Sequence, residues 1–355
     1  MFKNKTLIVV GAGASNEVNL PTGYELKNKI ASMLGFEFDT FENQTKGDKV
    51  IFGAIKELAF RTGGLDVNMR LREYVDASWR IRDAMPQAIS IDNFIDAHQG
   101  NIRLEQSGKL AIVQSILEAE RNSQLYIDHA REWSNRKIFH AVEKSWFNFF
   151  MQLLSENCTI EEIRNRLQSV DFVIFNYDRC IEHYLYHSLQ NYYGISPQEA
   201  GALIGRMNFY HPYGTVGNLP WHKSEHAIEF GASPNASQLI TLAEQIRTFT
   251  EGTDPLASDV VAIRNAMRES NVVLFLGFAF HRQNLKLIRP TDDAHVRPRD
   301  TKYYATAYGL SNSDRESIHS ELANLGGVDY GNIRLRSDIK CCALFHEYWR
   351  DLSLS

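Results

Sequence analysis

The stretch LIVVGAGAS, Leu7–Ser15, decides the fold expected of this chain. Its first four residues are apolar, as in a strand buried on both faces, and they lead directly into a loop that contains Gly11 and Gly13. Glycines at the end of a strand let the backbone turn sharply and bring its N–H groups close to a phosphate. The N-terminus of a following helix favours the same anion. The stretch therefore predicts a first strand and a phosphate loop, with a helix beginning near Gly23.

The composition is that of an ordinary globular protein. The 355 residues are 44% hydrophobic and 23% charged, and the formal net charge is -5 at pH 7. This length exceeds what one compact core usually reaches, so we expect two domains or one domain with an insertion. The negative charge argues against general nucleic-acid binding. No apolar run has the length of a membrane span, and the N-terminal residues lack a signal-peptide pattern, so we expect a cytoplasmic protein without a membrane association.

Further apolar runs predict the other strands of a parallel sheet. They are Phe172–Phe175, Val272–Leu276, Tyr303–Tyr308 and Ile333–Leu335. Helical patterns alternate with them, for example at Asp178–Gln190 and Asp314–Leu325. This alternation predicts an α/β fold with a Rossmann-like, doubly wound parallel sheet.

A long, mostly helical interval separates the first predicted strand from the second. Gly108–Trp133 and Arg136–Leu154 have the apolar spacing of helices. Their large aromatic residues are predicted to be buried: Trp133, Phe139, Trp146, Phe149 and Phe150. We therefore predict a helical insertion module at residues 36–165, within a nucleotide-binding domain formed by residues 1–35 and 166–355.

A second interruption is expected at about residues 218–268. Asn235 is predicted to cap a helix there, and Gly252–Pro255 is predicted to form a turn between two helices. No motif in this smaller insertion indicates a function.

Polar side chains follow two of the later strands. Asn176 and Asp178 come directly after Phe172–Phe175, which places them at the carboxyl edge of the sheet, where open α/β folds bind ligands. Capping of the next helix explains Asp178 about as well as ligand binding does, but it does not explain Asn176. His211 lies in the loop FYHPYG, which by itself is more typical of a structural histidine. Gly277 ends the strand Val272–Leu276, and by itself it indicates close packing.

Taken together and in this order, the segments resemble the sirtuin superfamily. The family pattern is a GAG-x-S loop, an Asn-x-Asp at a strand end, a loop with the catalytic histidine, and a late strand that ends in a Gly-rich turn. The match covers roughly residues 5–35, 168–215 and 270–340. The matching residues, in the order of these four elements, are Gly11, Ala12, Gly13 and Ser15, then Asn176 and Asp178, then His211, then Gly277.

Departures from the family pattern narrow the function that the resemblance implies. Sirtuin deacylases carry a zinc module with two CxxC pairs, and this chain has no CxxC. Its cysteines, Cys158, Cys180, Cys341 and Cys342, lack the spacing of a zinc site. The late turn has Gly277-Phe278-Ala279 in place of Gly-Thr-Ser. The sequence Phe175-Asn176-Tyr177-Asp178 and the large insertion make the chain similar to zinc-free sirtuin-like proteins of bacterial antiphage defence, which hydrolyse NAD+.

This resemblance implies an NAD+ glycohydrolase that releases nicotinamide and ADP-ribose, the toxic effector of an abortive-infection system. The nicotinamide of NAD+ is a cationic pyridinium that becomes neutral as it leaves, so its departure needs no strong general acid. Asn176 and His211 would be catalytic, Asn176 by positioning water or a ribose hydroxyl and His211 as a base near neutrality. The residues expected to bind NAD+ are Gly11, Ala12, Gly13, Ser15, Asp178 and Gly277, with Asp178 on the nicotinamide carboxamide. No metal is expected.

Other functions stay open at this point. The same scaffold can be a zinc-free protein deacylase or an ADP-ribosyltransferase, or a non-catalytic module that senses NAD+ or ADP-ribose. A dehydrogenase is disfavoured because Asn16 stands where the G-x-G-x-x-G pattern requires glycine.

Partners are expected from the function alone. An enzyme that consumes cellular NAD+ must be controlled, so we expect a regulatory or sensor protein encoded nearby, such as an ATPase, a translocase or a nucleotide-responsive protein. We also expect a homo- or hetero-oligomer.

Overall fold

The computed structural model describes residues 4–61, 66–128, 138–222, 224, 227–248, 251, 258–290 and 300–354. The chain divides into two compact units. Unit 1 comprises Met1–Leu20, Ser123–Pro212 and Thr253–Ser355. Unit 2 comprises Pro21–Asn122 and Tyr213–Gly252.

Unit 1 contains a six-stranded parallel sheet. Its strands are β1 (Thr6–Val10), β2 (Val170–Ile174), β3 (Asn208–Tyr210), β4 (Val272–Leu276), β5 (Lys302–Thr306) and β6 (Ile333–Arg336). The order across the sheet is β3-β2-β1-β4-β5-β6, and every neighbouring pair is parallel. The predicted α/β fold with a parallel sheet is confirmed, and this strand order is consistent with a Rossmann-like fold.

The centre of the sheet is β1, which is bonded on both sides. All five of its residues are buried. At its carboxyl end Val10 lies opposite Ile174 on one side and Leu276 on the other. Because the strand order reverses at β1, the carboxyl ends of β2, β1 and β4 flank the kind of crevice in which open α/β sheets bind ligands.

Helices of unit 1 lie between these strands and after the last of them. They are Ala12–Ser15, Ile138–Ala141, Trp146–Ser155, Ile160–Gln168, Cys180–Tyr193, Pro197–Ile204, Ser258–Glu269, Arg282–Ile288, Asn312–Gly326, Cys341–Glu347 and Trp349–Leu354. Short 3-10 turns lie at Asn16–Val18 and Tyr330–Asn332.

The aromatic residues of helix Trp146–Ser155 belong to the core of unit 1. The indole N–H of Trp146 donates to the carbonyl of Ala14 at 3.0 Å, and its ring stacks on Phe345. Phe150 packs edge-on against Phe172 of β2, with ring centroids 5.5 Å apart. These contacts place helix Trp146–Ser155 with the sheet, in unit 1, whereas the sequence pattern assigned it to the 36–165 insertion.

The helix boundaries in this region also differ from the predicted ones. The predicted segments Gly108–Trp133 and Arg136–Leu154 correspond to helices Ile102–Asn122 and Trp146–Ser155. Trp146 and Phe150 are buried as predicted, Phe139 and Phe149 are half-buried, and Trp133 lies outside the described residues.

Unit 2 is mostly helical. Its helices are Gly23–Met33, Lys49–Arg61, Val67–Ala84, Ile91–Asp96, Ile102–Asn122 and Ala236–Ala243, with a 3-10 turn at Pro220–His222. A small antiparallel pair of strands is formed by Glu37–Phe38 and Gln44–Lys46. The first helix begins at Gly23 as predicted, because Thr22 and Glu25 form a capping box.

Residues of the predicted 218–268 insertion are shared between the two units. Helix Ala236–Ala243 is capped by Asn235, as predicted, and packs against helices Lys49–Arg61 and Ile102–Asn122 of unit 2. Helix Ser258–Glu269 packs against Arg282–Ile288 of unit 1. The predicted turn Gly252–Pro255 lies outside the described residues. None of the helices that the structure describes combines the length and the apolar character needed to cross a membrane.

Two glycine loops pack against each other at the carboxyl edge of the sheet. Gly277, after β4, has a φ of +55°, and a Cβ at this position would overlap backbone atoms of Gly13 and Ala14. A Cβ at Gly13 would come within 2.9 Å of the Gly277 Cα. The absence of side chains therefore lets the loops after β1 and β4 lie in direct backbone contact.

We expect Gly277→Ala to lower the free energy of unfolding of the sheet unit by at least about 1–3 kcal/mol, since the added methyl group forces two loops apart. Urea denaturation followed by tryptophan fluorescence measures this. Gly331→Ala is the matched control, because a Cβ there meets no atom within 4 Å. Equal urea midpoints for the two variants would contradict the proposed packing.

Candidate functional site

Two N–H groups of the loop after β1 donate hydrogen bonds to carbonyl groups at the end of β4 and just after it. Gly11 donates to the carbonyl of Leu276 at 2.9 Å, and Gly13 donates to the carbonyl of Gly277 at 3.1 Å. The sequence predicted that glycine N–H groups here would face a phosphate, but these two are bonded to carbonyl oxygens. The glycines instead permit close backbone packing, while Ala12 and Gly13 keep an accessible surface.

The Ser15 hydroxyl joins the loops after β1 and β2. Asn176 Nδ2 donates to Ser15 Oγ at 3.1 Å, and Ser15 Oγ donates to Asp178 Oδ1 at 3.2 Å. All three residues are buried.

Asp178 has one of the two roles that the sequence left open, the support of the following helix. Its Oδ1 accepts the backbone N–H of Cys180, the first residue of helix Cys180–Tyr193, at 3.1 Å. The same oxygen accepts the hydroxyl of Ser15. Asp178 therefore supports the start of the helix and also orders the polar cluster at the strand end.

His211 follows the edge strand β3 and lies beside Asn176. Its Nδ1 is 3.4 Å from the backbone oxygen of Asn176, and its Nε2 is 2.7 Å from Glu182 Oε1. Burial, the largest single effect, lowers the pKa of His211, but the charge and hydrogen bond of Glu182, the backbone contact of Asn176 and the charge of Asp178 together raise it above the ordinary 6.5. The sequence predicted that His211 acts as a base near neutral pH, but its surroundings favour the protonated form.

Glu182 is the residue of this cluster that the sequence analysis missed. It lies in the first turn of helix Cys180–Tyr193, and its side chain is 7% exposed. Glutamate in a helix is usually solvated, so its identity carried no signal. The available clue was its place in the apolar run CIEHYLY.

Gly277 is fixed by the neighbouring strand. Its N–H donates to the hydroxyl of Thr306, the last residue of β5, at 2.9 Å. Phe278 is buried and packs on Phe175, with ring centroids 5.1 Å apart. Phe278 thus forms an aromatic contact between the loops after β2 and β4.

All the predicted site residues lie in unit 1, after the carboxyl ends of neighbouring strands. Hydrogen bonds connect Ser15, Asn176, Asp178 and His211 into one cluster, and Gly277 contacts the loop that precedes Ser15. The cluster can accept hydrogen bonds through an amide and carboxylates, and it holds a titratable imidazole. Its arrangement suits a hydroxyl-rich or amide-bearing ligand.

Glu17 anchors the segment that follows the β1 loop to two neighbouring helices. Its Oε2 accepts the N–H of Trp146 at 2.9 Å, and its Oε1 accepts the N–H of Cys342 at 2.8 Å. These are N–H groups at the starts of two helices, so one carboxylate satisfies both. Burial raises the pKa of Glu17 above its ordinary value, and the two backbone hydrogen bonds offset only part of this effect.

Metal-binding and cysteine chemistry have no counterpart in this cluster. All four cysteines are free; Cys180 and Cys341 are buried, and Cys158 and Cys342 are half-buried. Within the described ranges there is no group of three or more His, Cys, Asp or Glu that could hold a metal ion.

No protein-family model, curated protein or solved structure matches this chain.

We expect Glu17→Ala to destabilise the sheet unit by at least about 1–3 kcal/mol, because it leaves two N–H groups without their acceptor. Glu143→Ala, which removes an exposed carboxylate of the same unit, should change stability by no more than about 0.5 kcal/mol. Urea denaturation of both variants provides the comparison. If Glu17→Ala unfolds at the wild-type midpoint, Glu17 does not anchor the loop.

Proposed function

We propose that this chain is a sirtuin-like NAD+ glycohydrolase that releases nicotinamide and ADP-ribose. The observation that carries the proposal is the cluster of Ser15, Asn176, Asp178 and His211. These side chains come from three separate strand ends, and they meet beside the point where the strand order reverses. Helix capping and core packing do not require an amide and an imidazole in the same place.

In this proposal, NAD+ binds along the carboxyl edge of the sheet. Its pyrophosphate lies against the accessible surface of Ala12 and Gly13, and its nicotinamide ribose lies near Asn176. Asp178 accepts a hydrogen bond from the carboxamide. The bonded N–H groups of Gly11 and Gly13 leave phosphate binding to other groups of the loop, so the role of these glycines is to shape the loop.

The chemistry follows from the leaving group. As the bond between nicotinamide and ribose breaks, its electron pair neutralises the pyridinium, and positive charge develops on the ribose. The enzyme must stabilise that charge and direct water to the ribose carbon. The Oδ1 of Asn176 can orient the water, and His211 can take its proton.

One observation favours a second candidate function, a non-catalytic module that binds ADP-ribose. Both ring nitrogens of His211 face acceptors within the protein, and its pKa is raised, which disfavours the neutral form that acts as a base. Separation of the products after incubation with NAD+ decides between the candidates. Nicotinamide and ADP-ribose support the hydrolase, and unchanged NAD+ supports the sensor.

The biological role belongs to the same proposal. Depletion of NAD+ would make the chain the toxic effector of an antiphage system, under the control of a protein encoded nearby and within an oligomer. Comparing NAD+ turnover by the isolated chain with turnover in the presence of the products of neighbouring genes tests this role.

We expect Asn176→Ala and His211→Ala each to reduce NAD+ cleavage by about 10²–10⁴-fold while the protein stays folded. Asn165→Ala and His140→Ala are matched controls, because both side chains are exposed. Turnover and thermal melting are measured on all four variants. A near-normal turnover in either site variant, with a wild-type melting curve, would refute the assignment of the site.

We also expect the purified protein to cleave NAD+ without stoichiometric zinc. Elemental analysis should find less than one zinc per chain, and chelators should change neither stability nor turnover. One tightly bound zinc per chain would contradict the zinc-free assignment and favour a deacylase.

A further inference from the structure

We propose that Glu182 holds His211 in the tautomer that carries its proton on Nε2, so that Nδ1 accepts the proton of the attacking water. Glu182 is then a positioning residue, and its role rests on the proposed function.

The two hydrogen bonds of His211 are unequal. Nε2 is 2.7 Å from Glu182 Oε1, whereas Nδ1 is 3.4 Å from the carbonyl oxygen of Asn176. The short contact joins a ring nitrogen to a carboxylate inside the protein, since the two side chains are 10% and 7% exposed. A charge-assisted bond of this length is strong, and a neutral bond at 3.4 Å is weak. When His211 loses one proton, the proton on Nδ1 is therefore the one that leaves.

Among the described residues, the carboxylate of Glu182 has its hydrogen bond with the histidine. Its Oε2 is buried and has no hydrogen-bond partner among the residues that the structure describes. Asp171, a buried carboxylate in β2, shows the usual structural arrangement. One of its oxygens pairs with Lys5 at 2.8 Å, and the other accepts from Asn208 at 2.8 Å. Since a carboxylate that serves only stability has both oxygens satisfied, Glu182 is better explained by its effect on His211.

The charges around His211 determine how it titrates. Glu182 raises its pKa through charge and hydrogen bonding, the carbonyl of Asn176 and the charge of Asp178 raise it further, and burial lowers it. The neutral, basic form therefore predominates only above the raised pKa. Activity should rise with pH through that pKa, because deprotonation exposes the lone pair of Nδ1.

The proposed step balances as follows. Water forms a bond from its oxygen to the ribose carbon as the bond to nicotinamide breaks, and the electron pair of that bond goes to nicotinamide. One proton of the water passes to Nδ1, and the proton on Nε2 stays in the bond to Glu182. Glu182 remains ionised and offsets the charge of the imidazolium, as the carboxylate does in a catalytic triad.

The test compares Glu182→Gln with Asp171→Asn in the full-length protein. Glutamine can still accept the Nε2 proton, so the fold is kept while the charge is removed. NMR of the ¹⁵N-labelled imidazole should show a lower pKa for His211 in Glu182→Gln and a mixture of tautomers. The value of kcat should fall about 10²-fold or more with KM little changed, and the acidic limb of the pH–rate profile should move to lower pH. Asp171→Asn should alter none of these.

An unchanged pKa and tautomer of His211 in Glu182→Gln would overturn the pairing, whatever the activity. A shifted pKa with unchanged kcat would overturn the role of Nδ1. If the wild-type chain does not cleave NAD+, the proposed function fails and the catalytic role with it. The NMR titration still decides whether Glu182 controls the protonation of His211.

Discussion

The structure of the sheet unit depends on the pairing of β1 with two strands that lie far away in the sequence. Thr6–Val10 hydrogen bonds in register to Val170–Ile174 on one side and to Val272–Leu276 on the other. Because all three strands run in parallel, their following loops emerge at the same edge. This pairing brings Ser15 into hydrogen-bond contact with Asp178, 163 residues later in the chain.

Close contacts between loops then bring the polar side chains together at this edge of the sheet. Gly13 and Gly277 allow the loops after β1 and β4 to touch through their backbones, and Ser15 ties the first of these loops to the loop after β2. Glu17 anchors the same loop to the starts of two helices. The polar cluster is thus held by a rigid surrounding structure, which is what positioned acid–base chemistry requires.

The sequence predicted the strands better than it predicted the domain boundaries or the hydrogen bonds within the site. Buried strands such as Val272–Leu276 are continuous apolar runs, but β3 has three residues that are half-buried or exposed, too weak a pattern to detect. The place of helix Trp146–Ser155 depends on long-range contacts to Phe172 and Phe345, which apolar spacing does not encode. Glu182 escaped notice for the same reason, since its contact with His211 joins two separate elements of the fold.

The central claim is that the loops after β1, β2, β3 and β4 form one nucleotide site. Hydrogen–deuterium exchange with and without ADP-ribose tests it most directly, because the measurement needs no turnover. The account predicts slower exchange in peptides that cover residues 11–20, 174–183, 209–212 and 276–281, and loss of this protection in Asn176→Ala. Absence of protection at saturating ADP-ribose, or protection confined to another part of the chain such as residues 312–336, would contradict it.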